Sequence, residues 1–515
     1  MCSNRKGIVA VVPGEKDVPA AAAAPPTTTP DSLTHDSASR NSLAMLASRL
    51  VVAILGWAGS VLIARHLSQT DWGVFSFVFS LLGMMSIVTD LGVGRVVLAR
   101  LLDSDKDKVD VIASAFVHLR VVLGLVGYCV ALGYVLLLGY PAEVVRATAI
   151  GGVVVVIATP SFALTVLYQS RLKLITVALA ESAAQLLQLV LTVLIALMKP
   201  DLLLFFLPAI VFEIFAGIWK LRGIRTGKLG LNLGGNPGVV LWREMLAEAV
   251  PLSVGMAMMT LLSKIDVLLL GRLSTFNAVG HYTIAYKFSD LVNTVVLGVV
   301  APATTVMVAS WPDLPDQFRN RVKTAAVFLG IITCFVVVGM WASADSIIEF
   351  LYGPRFTSAA DATRMLLVGA VFAALTHLIL MALVSSGRQR LYPWLALGAL
   401  AINVGLNVVL IPHYSYNGSA LATILTEFAM LCAMWILLVR TVPIRRLVPA
   451  GKLALIVALT AAVCALSTVV KRMTYLPWPV VAGGSVLAFV AGILLLGLVD
   501  RRIVSRFLFG KIGWR

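Results

Sequence analysis

Charge is the property that this sequence has least of. Only 13% of the 515 residues are Asp, Glu, Lys or Arg, whereas a soluble globular chain carries about 25%. Hydrophobic residues make up 59% of the chain, and the mean hydropathy is +0.95. So little charge is not enough to cover a protein of this length in water. The composition therefore excludes a soluble protein and predicts an integral membrane protein.

The sequence is also poor in the residues that build metal, cofactor or disulfide sites. Its five cysteines and six histidines are scattered without ligand spacing. No glycine-rich phosphate loop follows a strand pattern. The longest polar connection after the N-terminal segment, at about 220–244, is too short for a catalytic or nucleotide-binding domain. We therefore expect no cofactor, no metal site and no enzymatic activity. The energy source would be an ion gradient, the membrane potential or the gradient of the substrate.

Long apolar runs are what the sequence has instead. They last roughly 18–25 residues and match the hydrocarbon core of a bilayer when they are helical. Runs such as GGVVVVIATPSFALTVLY (151–168) are apolar on every face, which favours helices over the alternating strands of a barrel. The sequence thus predicts an all-α integral membrane protein with about fourteen transmembrane helices. The predicted spans are approximately 43–64, 73–94, 113–139, 147–169, 174–198, 202–219, 247–270, 281–309, 324–350, 362–385, 391–411, 419–439, 450–470 and 478–499.

Basic residues are unevenly distributed between the two sides of the predicted membrane. With the N-terminus inside, the cytoplasmic loops hold most of them, including Arg100, Arg171, Lys220 and Arg243. Since Lys and Arg of short loops concentrate in the cytoplasm, both termini are predicted to be cytoplasmic. The net charge of +16 then faces anionic membrane lipids, and no nucleic-acid partner is needed to explain it. The external loops keep only Arg65, Arg146, Lys199, Arg272, Arg355, Lys471 and Arg472.

Composition also divides the chain into segments. Residues 1–42, rich in Ala, Pro, Thr and Ser, are predicted to be a disordered cytoplasmic tail. Residues 500–515 are predicted to be a basic cytoplasmic tail, either an interfacial amphipathic helix or an ordinary positive anchor. Between the tails we expect an N-terminal six-helix bundle at 43–220, a basic linker at 221–244, a C-terminal six-helix bundle at 245–440 and two additional helices at 441–499.

Two predicted external loops carry the same short pattern. In RHLSQTDWGVF, Gly73 follows Arg65 by eight positions, and in RLSTFNAVGHY, Gly280 follows Arg272 by eight positions. Both contain Leu-Ser near the arginine and an aromatic residue two positions after the glycine. The offset of 207 residues contains six predicted spans, so the two repeats have the same orientation. Parallel repeats of this kind are related by an axis along the membrane normal, with the substrate route between them.

Three longer stretches resemble bacterial polysaccharide flippases, whose superfamily also contains multidrug and toxin extruders and the lipid II flippase. They are ARHLSQTDWGVFSFVFSLLGMMSIVTDLGVGRVVLAR (64–100), PLSVGMAMMTLLSKIDVLLLGRLSTFNAVGHYTIAYK (251–287) and AINVGLNVVLIPHYSYNGSALATILTEF (401–428). The resemblance covers about residues 43–499. It implies two six-helix bundles flanking a central cavity, two extra helices, a location in the bacterial inner membrane, and alternating access for a lipid-linked oligosaccharide. Other polysaccharide-assembly membrane proteins are further candidate partners.

Several ionisable residues lie within predicted spans, where each costs on the order of 2.5–3.5 kcal/mol at a lipid-facing helix centre. In TLLSKIDVLLLGRLS (260–274), Lys264 and Asp266 point about 200° apart around a helix and cannot pair with each other. Lys287 and Asp290 are spaced i,i+3 and can share one face. Such residues usually face a bundle interior or a hydrated cavity and mark a substrate or ion route.

Four cationic residues form the predicted substrate-binding set, because a pyrophosphate group has several negative charges that need partners inside the membrane. They are Arg49, Lys264, Lys287 and Arg120. Two alternatives stay open. Lys287 with Asp290 would form a packing staple, and Arg120, near the end of a span, would snorkel to the interface.

Five residues are the predicted ion-coupling set: Asp266, Asp290, Asn403, Asn407 and Glu213. Asp266 is the first choice, and Asn403 and Asn407, one turn apart, would line the route opposite it. The resemblance supports this choice, because the sodium site of the lipid II branch uses an acidic residue of helix seven and polar residues of helices eleven and twelve. Na⁺ and H⁺ both stay open as the coupling ion. A structural role as a protonated hydrogen-bond donor is the alternative for Glu213.

The sequence therefore predicts a flippase that moves a polyprenyl-diphosphate-linked oligosaccharide or polysaccharide precursor from the inner to the outer leaflet. A cation-coupled multidrug antiporter of the same superfamily is the first alternative, although the many intramembrane cations argue against it. A polytopic glycan-transferring enzyme is the second alternative, and the short external loops, which lack clustered carboxylates or histidines, argue against it.

Overall fold

The computed structural model describes residues 31–103, 106–227, 229–233, 239–308, 315–388, 391–442, 448–474 and 476–498. Within these ranges the chain is helical and contains no β-strand. The first nine helices are α1 (Asp31–His66), α2 (Gln69–Met84), α3 (Ser86–Asp90), α4 (Val93–Asp103), α5 (Lys106–Leu137), α6 (Ala142–Gly151), α7 (Val153–Ser170), α8 (Leu174–Met198) and α9 (Leu207–Arg225). The remaining helices are α10 (Val239–Leu273), α11 (Phe276–Val308), α12 (Pro315–Trp341), α13 (Ala344–Tyr352), α14 (Ala359–Ser385), α15 (Tyr392–Thr441), α16 (Ala450–Met473) and α17 (Trp478–Leu495).

In the part of the chain that the structure describes, eleven helical stretches are long and apolar enough to cross a membrane, by length and composition alone. One of them, α15, contains two of the predicted spans, because its backbone leaves the helical region at Ser415 (φ 51°, ψ −132°), shortly after Pro412. Helices α10 and α11 overlap the seventh and eighth predicted spans but are not among the eleven. The prediction of a multi-pass all-α protein is confirmed, whereas the count of fourteen spans is not.

Two predicted segment boundaries differ from the structure. Helix α1 begins at Asp31, so the predicted tail at 1–42 ends too late. A helix anchored in a bundle extends one residue at a time at little cost, so polar residues at its end need not stop it. Helix α9 continues to Arg225 and α10 begins at Val239, so the predicted linker at 221–244 is too long at both ends. Residues 1–30 and the predicted tail at 500–515 lie outside the described residues.

The N-terminal helices pack side by side around a hydrophobic core of their own. Helix α1 packs against α8, α8 against α9, α9 against α7, and α7 against α5. A cluster of buried apolar side chains that includes Val97, Phe116 and Leu167 fills this half. Met245 and Ala249, at the start of α10, belong to the same cluster, so α10 starts on the first half before it joins the second.

The C-terminal helices are organised around α14, which packs against α11, α12 and α15. Helix α10 packs against α15, and the two extra helices α16 and α17 pack against α12. A small ion network joins these parts: the Asp345 carboxylate accepts hydrogen bonds from Arg364 (2.6 Å) and Lys471 (3.2 Å). Burial raises the pKa of Asp345, but the two cations outweigh burial and hold it below its ordinary value.

The repeated glycines mark the place where the two halves touch most closely. Helix α2 packs against α11, and a Cβ on Gly73 would overlap the carbonyl group of Phe276. A Cβ on Gly280 would lie 2.6 Å from the carbonyl oxygen of Gln69. Glycine lets two helix backbones approach to this distance. The repeat found in the sequence is therefore a contact between the halves.

This contact predicts the effect of adding one methyl group. We expect Gly73→Ala to lower the stability of the protein by about 1–3 kcal/mol, because backbone atoms cannot rotate away from the new Cβ. Gly133→Ala in α5 is the matched control: its Cβ would meet nothing within 4 Å, and alanine favours the helix by about 0.5–1 kcal/mol. Thermal unfolding in detergent compares the two variants. Equal or higher stability of Gly73→Ala would contradict the close approach.

Candidate functional site

Among the residues that the structure describes, the buried carboxylate with the most side-chain hydrogen-bond donors is that of Asp266 in α10. Its side chain is only 4% exposed. Tyr282 of α11 and Thr423 of α15 donate hydrogen bonds to its Oδ2 atom, at 2.7 and 2.8 Å. Asn407, also of α15, donates to Oδ1 at 2.9 Å. Three helices therefore converge on one carboxylate, and their donors replace the water that a charged group requires.

Helix α15 reaches Asp266 twice because of the break at Ser415. Gly418, three residues later, packs against the backbone of Leu410 so closely that a Cβ would clash. The two arms of α15 therefore lie close together, and they bring Asn407 from the first arm and Thr423 from the second arm to the same carboxylate. The Leu-Ile-Pro segment of the sequence (410–412) thus leads into the turn that builds the site.

The same centre contains a buried oxygen atom that lacks a donor. The Asn407 amide nitrogen donates to the Oδ1 atom of Asn403, one turn earlier, at 3.1 Å. The Oδ1 atom of Asn407 itself is buried and has no hydrogen-bond partner among the described residues. A carboxylate, amide oxygens and a hydroxyl are the ligands that hard cations prefer. The geometry therefore suits a desolvated cation or a proton. We call Asp266, Tyr282, Asn403, Asn407 and Thr423 the Asp266 centre.

A second acidic residue, Glu427, lies close to the Asp266 centre and was not among the sequence-predicted residues. It follows Thr423 by one helical turn and is half-buried. Its charge acts on Asp266 and on Tyr286. The signal was available in the sequence, because Glu427 is an acidic residue in a predicted span at i+4 from a polar residue. Two carboxylates thus share this part of the C-terminal half.

Two predicted substrate-binding residues flank the Asp266 centre on the same helices, α10 and α11. Lys264 is half-buried and lies against Gly83 of α2. The Lys287 ammonium lies 5.6 Å from the ring centroid of Trp72, also in α2. In the described part of the chain Lys287 forms no ion pair with Asp290, which is exposed. The packing staple that their spacing permits is therefore not formed, and both lysines are directed toward the helix at the contact between the halves.

The other two predicted substrate-binding residues lie elsewhere in the N-terminal half. Arg49 is an exposed residue of α1, next to Ser48, which binds the Ala178 carbonyl of α8 at 3.0 Å. Arg120 is 2% exposed, forms an ion pair with Asp90 and donates to the Thr89 carbonyl at 2.6 Å. Snorkelling of Arg120 was a wrong prediction, because a partner on the neighbouring helix α3 holds the guanidinium inside the bundle.

The predicted ion-coupling residue Glu213 belongs to a separate cluster in the N-terminal half. The Lys220 ammonium of α9 is 3.8 Å from Glu181 of α8 and donates to Thr165 of α7 at 3.2 Å. Glu213, two turns before Lys220, acts electrostatically on both Glu181 and Lys220. Lys220 was predicted to be a cytoplasmic loop residue, and this was wrong: it is 3% exposed within a helix that continues past it.

At the predicted external end, arginines form hydrogen bonds that connect the two halves. Arg65 of α1 donates to the carbonyls of Leu351, at 2.7 Å, and of Phe350. Arg355 donates back to the carbonyls of Leu67 and Arg65, at 2.8 and 3.0 Å. Beside them, Asn277 of α11 donates to Gln69 of α2 at 2.8 Å. We call these contacts the external clasp. The sequence prediction placed Arg65 and Arg355 in external loops but gave them no role.

The model of the polysaccharide biosynthesis protein family matches residues 38–308, which is more than half of the chain. A search of curated proteins gives no match.

Solved structures with a similar fold are known. The chain is similar to the lipid II flippase MurJ in an inward closed conformation, with 14% identity over 91% of this chain and 99% of that chain and a TM-score of 0.67. It is also similar to an inward-facing multidrug resistance transporter of the MATE family in the MOP superfamily, with 14% identity over 76% of this chain and 96% of that chain and a TM-score of 0.64. A MOP superfamily transporter from Pyrococcus furiosus matches with 14% identity over 78% and 94% and a TM-score of 0.55. The structural matches establish the fold, and the family model establishes the family. The chain belongs to the polysaccharide biosynthesis protein family.

Proposed function

We propose that the protein is a secondary transporter that flips a polyprenyl-diphosphate-linked oligosaccharide or polysaccharide precursor from the inner to the outer leaflet. The observation that carries this proposal is the position of Lys264 and Lys287. Both lie on the helices that hold the Asp266 centre, both approach α2, and neither has an ion-pair partner among the described residues. Unpaired cations within a membrane-spanning region are costly unless a ligand or water accompanies them.

The chemistry of the proposed substrate fits these cations. A diphosphate carries several negative charges and does not cross hydrocarbon without counter-charges, whereas its polyprenyl tail stays in lipid throughout. Lys264 and Lys287 would bind the phosphate oxygens by charge-assisted hydrogen bonds, which are about twice as strong as neutral ones. No bond is made or broken in this step. Arg49, exposed on α1, is a further candidate for the same group, whereas the Arg120 guanidinium is bound to Asp90.

The external clasp supports transport by alternating access. In this conformation the clasp and the contact between Gly73 and Gly280 hold the halves together at one end. Release of the substrate at that end requires the halves to separate and the clasp to open. Because parallel repeats are related by an axis along the membrane normal, a rocking motion of one half against the other exchanges the open and closed ends.

We further propose that cation binding at the Asp266 centre drives this motion. A bound Na⁺ or H⁺ would neutralise the carboxylate and change the hydrogen bonds that hold α10, α11 and both arms of α15. Asp290 and Glu213 stay candidates for a second ion route, Asp290 because it is exposed beside Lys287 and Glu213 because it lies in the Lys220 cluster. The proposed location is the bacterial inner membrane, with both termini in the cytoplasm.

A cation-coupled multidrug antiporter is the second candidate function. The observation that favours it is the group of two acids and two tyrosines formed by Asp266, Glu427, Tyr282 and Tyr286, since aromatic and acidic groups bind cationic drugs. The two functions require side chains of opposite charge at the substrate site: cationic ones for a diphosphate and acidic ones for a cationic drug. An antiporter would not need Lys264 and Lys287, which repel a cationic substrate.

Replacement of the two lysines distinguishes the flippase from the multidrug antiporter. We expect Lys264→Gln and Lys287→Gln each to lower the rate of flipping of a fluorescent polyprenyl-diphosphate sugar by about 10–100-fold. This is the change in rate that corresponds to the loss of one hydrogen bond to a charged group. Leaflet accessibility in vesicles containing the purified protein measures the rate. Lys452→Gln, an exposed residue at the start of α16, is the control and should leave the rate unchanged. Wild-type rates in both variants, or export of a cationic dye without flipping, would reject the flippase.

The second prediction concerns the coupling ion. Replacing Na⁺ by K⁺, or collapsing the pH gradient, should slow the wild-type protein, depending on which ion is used. Asp266→Asn should remove that dependence, because the amide lacks the negative charge that binds the cation. Asp316→Asn, at an exposed surface ion pair, is the control. Transport by Asp266→Asn with the ion dependence of the wild type would contradict coupling at this centre.

The third prediction concerns the external clasp. A short reducible cross-linker between the cysteines of a Gln69→Cys, Asn277→Cys variant should stop transport, and a reductant should restore it, because the halves can no longer separate at this end. Gln69→Cys alone and Asn277→Cys alone, treated in the same way, are the controls for labelling of the added cysteine and of the native cysteines, among which Cys129 and Cys432 are exposed. Undiminished transport after complete cross-linking would show that this end does not open.

A further inference from the structure

A groove of about 640 Å³ runs along one face of α9. Its residues recur every three or four positions, as residues on one helix face do. Aliphatic and aromatic side chains form most of the groove, and hydroxyl groups and one guanidinium lie toward the end where α9 stops. Among the lining residues are Ile214, Phe215, Ile218, Trp219, Arg222 and Thr226.

This groove lies on the perimeter of the N-terminal half. Helix α9 packs against α7 and α8, and Ala216 and Lys220 are buried in that contact. Ile218 and Arg222 each lie two positions from Lys220, which places them about 200° away around the helix. Ile218 is 60% exposed and Trp219 is 41% exposed. The groove therefore opens away from the Lys220 cluster and toward the surrounding hydrocarbon.

The charge in the groove has no protein partner. Within the described ranges, the guanidinium of Arg222 forms no hydrogen bond or ion pair, whereas Lys220, two residues earlier, is bound to Glu181 and Thr165. Thr176 of α8 and Thr226 contribute hydroxyls to the same groove. An apolar channel that ends in an unpaired cation and hydroxyls is complementary to an amphiphile with an anionic head.

We infer that this groove binds one anionic phospholipid of the leaflet at the C-terminal end of α9. An acyl chain lies along Ile214, Ile218 and Trp219, and the phosphate binds the guanidinium of Arg222. The distance from residue 211 to residue 226 is about 22 Å along a helix, enough for an acyl chain and the region of the headgroup. Free phosphate does not use the apolar walls, and a zwitterionic lipid brings an ammonium group close to Arg222. This inference is independent of the identity of the transported substrate.

Bromine-labelled lipids test the inference directly, because brominated acyl chains quench nearby tryptophan fluorescence. The full-length protein is placed in phosphatidylcholine vesicles that contain a minor fraction of either brominated phosphatidylglycerol or brominated phosphatidylcholine. The signal of Trp219 is obtained by subtracting that of Trp219→Phe. We expect the brominated phosphatidylglycerol to quench Trp219 about fivefold more effectively than the brominated phosphatidylcholine, the preference that one basic residue near the surface gives.

Two variants and one competitor decide the outcome. Arg222→Gln should abolish the preference, whereas Arg225→Gln, which removes the same charge from a residue that does not line the groove, should keep it. Inorganic phosphate should not displace the lipid. The inference is overturned if the wild-type protein shows no quenching preference at Trp219, or if Arg222→Gln keeps that preference. It is also overturned if Arg225→Gln loses as much of the preference as Arg222→Gln does, or if inorganic phosphate abolishes the preference. Because Arg222 and Arg225 are exposed, both variants should fold, and their thermal unfolding should match that of the wild type.

Discussion

A carboxylate buried between apolar helices is stable only if other groups replace the water around it, and this constraint organises the C-terminal half. Asp266 draws donors from α11 and from both arms of α15. The second arm of α15 turns back toward Asp266 at the break at Ser415, and Gly418 allows the close approach of the two arms. A change in the charge of one side chain therefore acts on three helices at once. That is the physical requirement for linking a small ion to a large movement.

The two halves treat their buried charges differently. In the N-terminal half, Arg120 is bound by Asp90, and Lys220 lies beside Glu181. These groups are already neutralised and fix the packing of α3, α5, α8 and α9. In the C-terminal half, Lys264 and Lys287 lie at the contact with α2, and neither forms an ion pair within 4 Å among the described residues. The unpaired charges are thus concentrated on one side of the contact between the halves, where an anionic ligand would meet both halves.

Sequence reasoning predicted part of this arrangement. The apolar runs predicted the helices, and the spacing of Asn403 and Asn407 placed both on the face that meets Asp266. The repeat predicted two halves of the same orientation, but the contact between its glycines was found only in the structure. Pairs between helices were not predictable, because Arg120 and Asp90 are 30 residues apart and no periodicity relates them. The external clasp could not be predicted either, because its arginines bind backbone carbonyls. Every residue has a backbone carbonyl, so the sequence does not show which ones an arginine will bind. Glu427 was visible in the sequence, and a search for acids one turn from polar residues would have found it.

The central claim is that the two unpaired lysines beside the Asp266 centre hold an anionic headgroup. An experimental map of the protein bound to a polyprenyl-diphosphate sugar would test it most directly. We predict diphosphate oxygens within about 4 Å of the ammonium groups of Lys264 and Lys287, the distance of an ion pair. A diphosphate bound elsewhere, with Lys287 paired to Asp290 and Lys264 turned into lipid, would contradict the account.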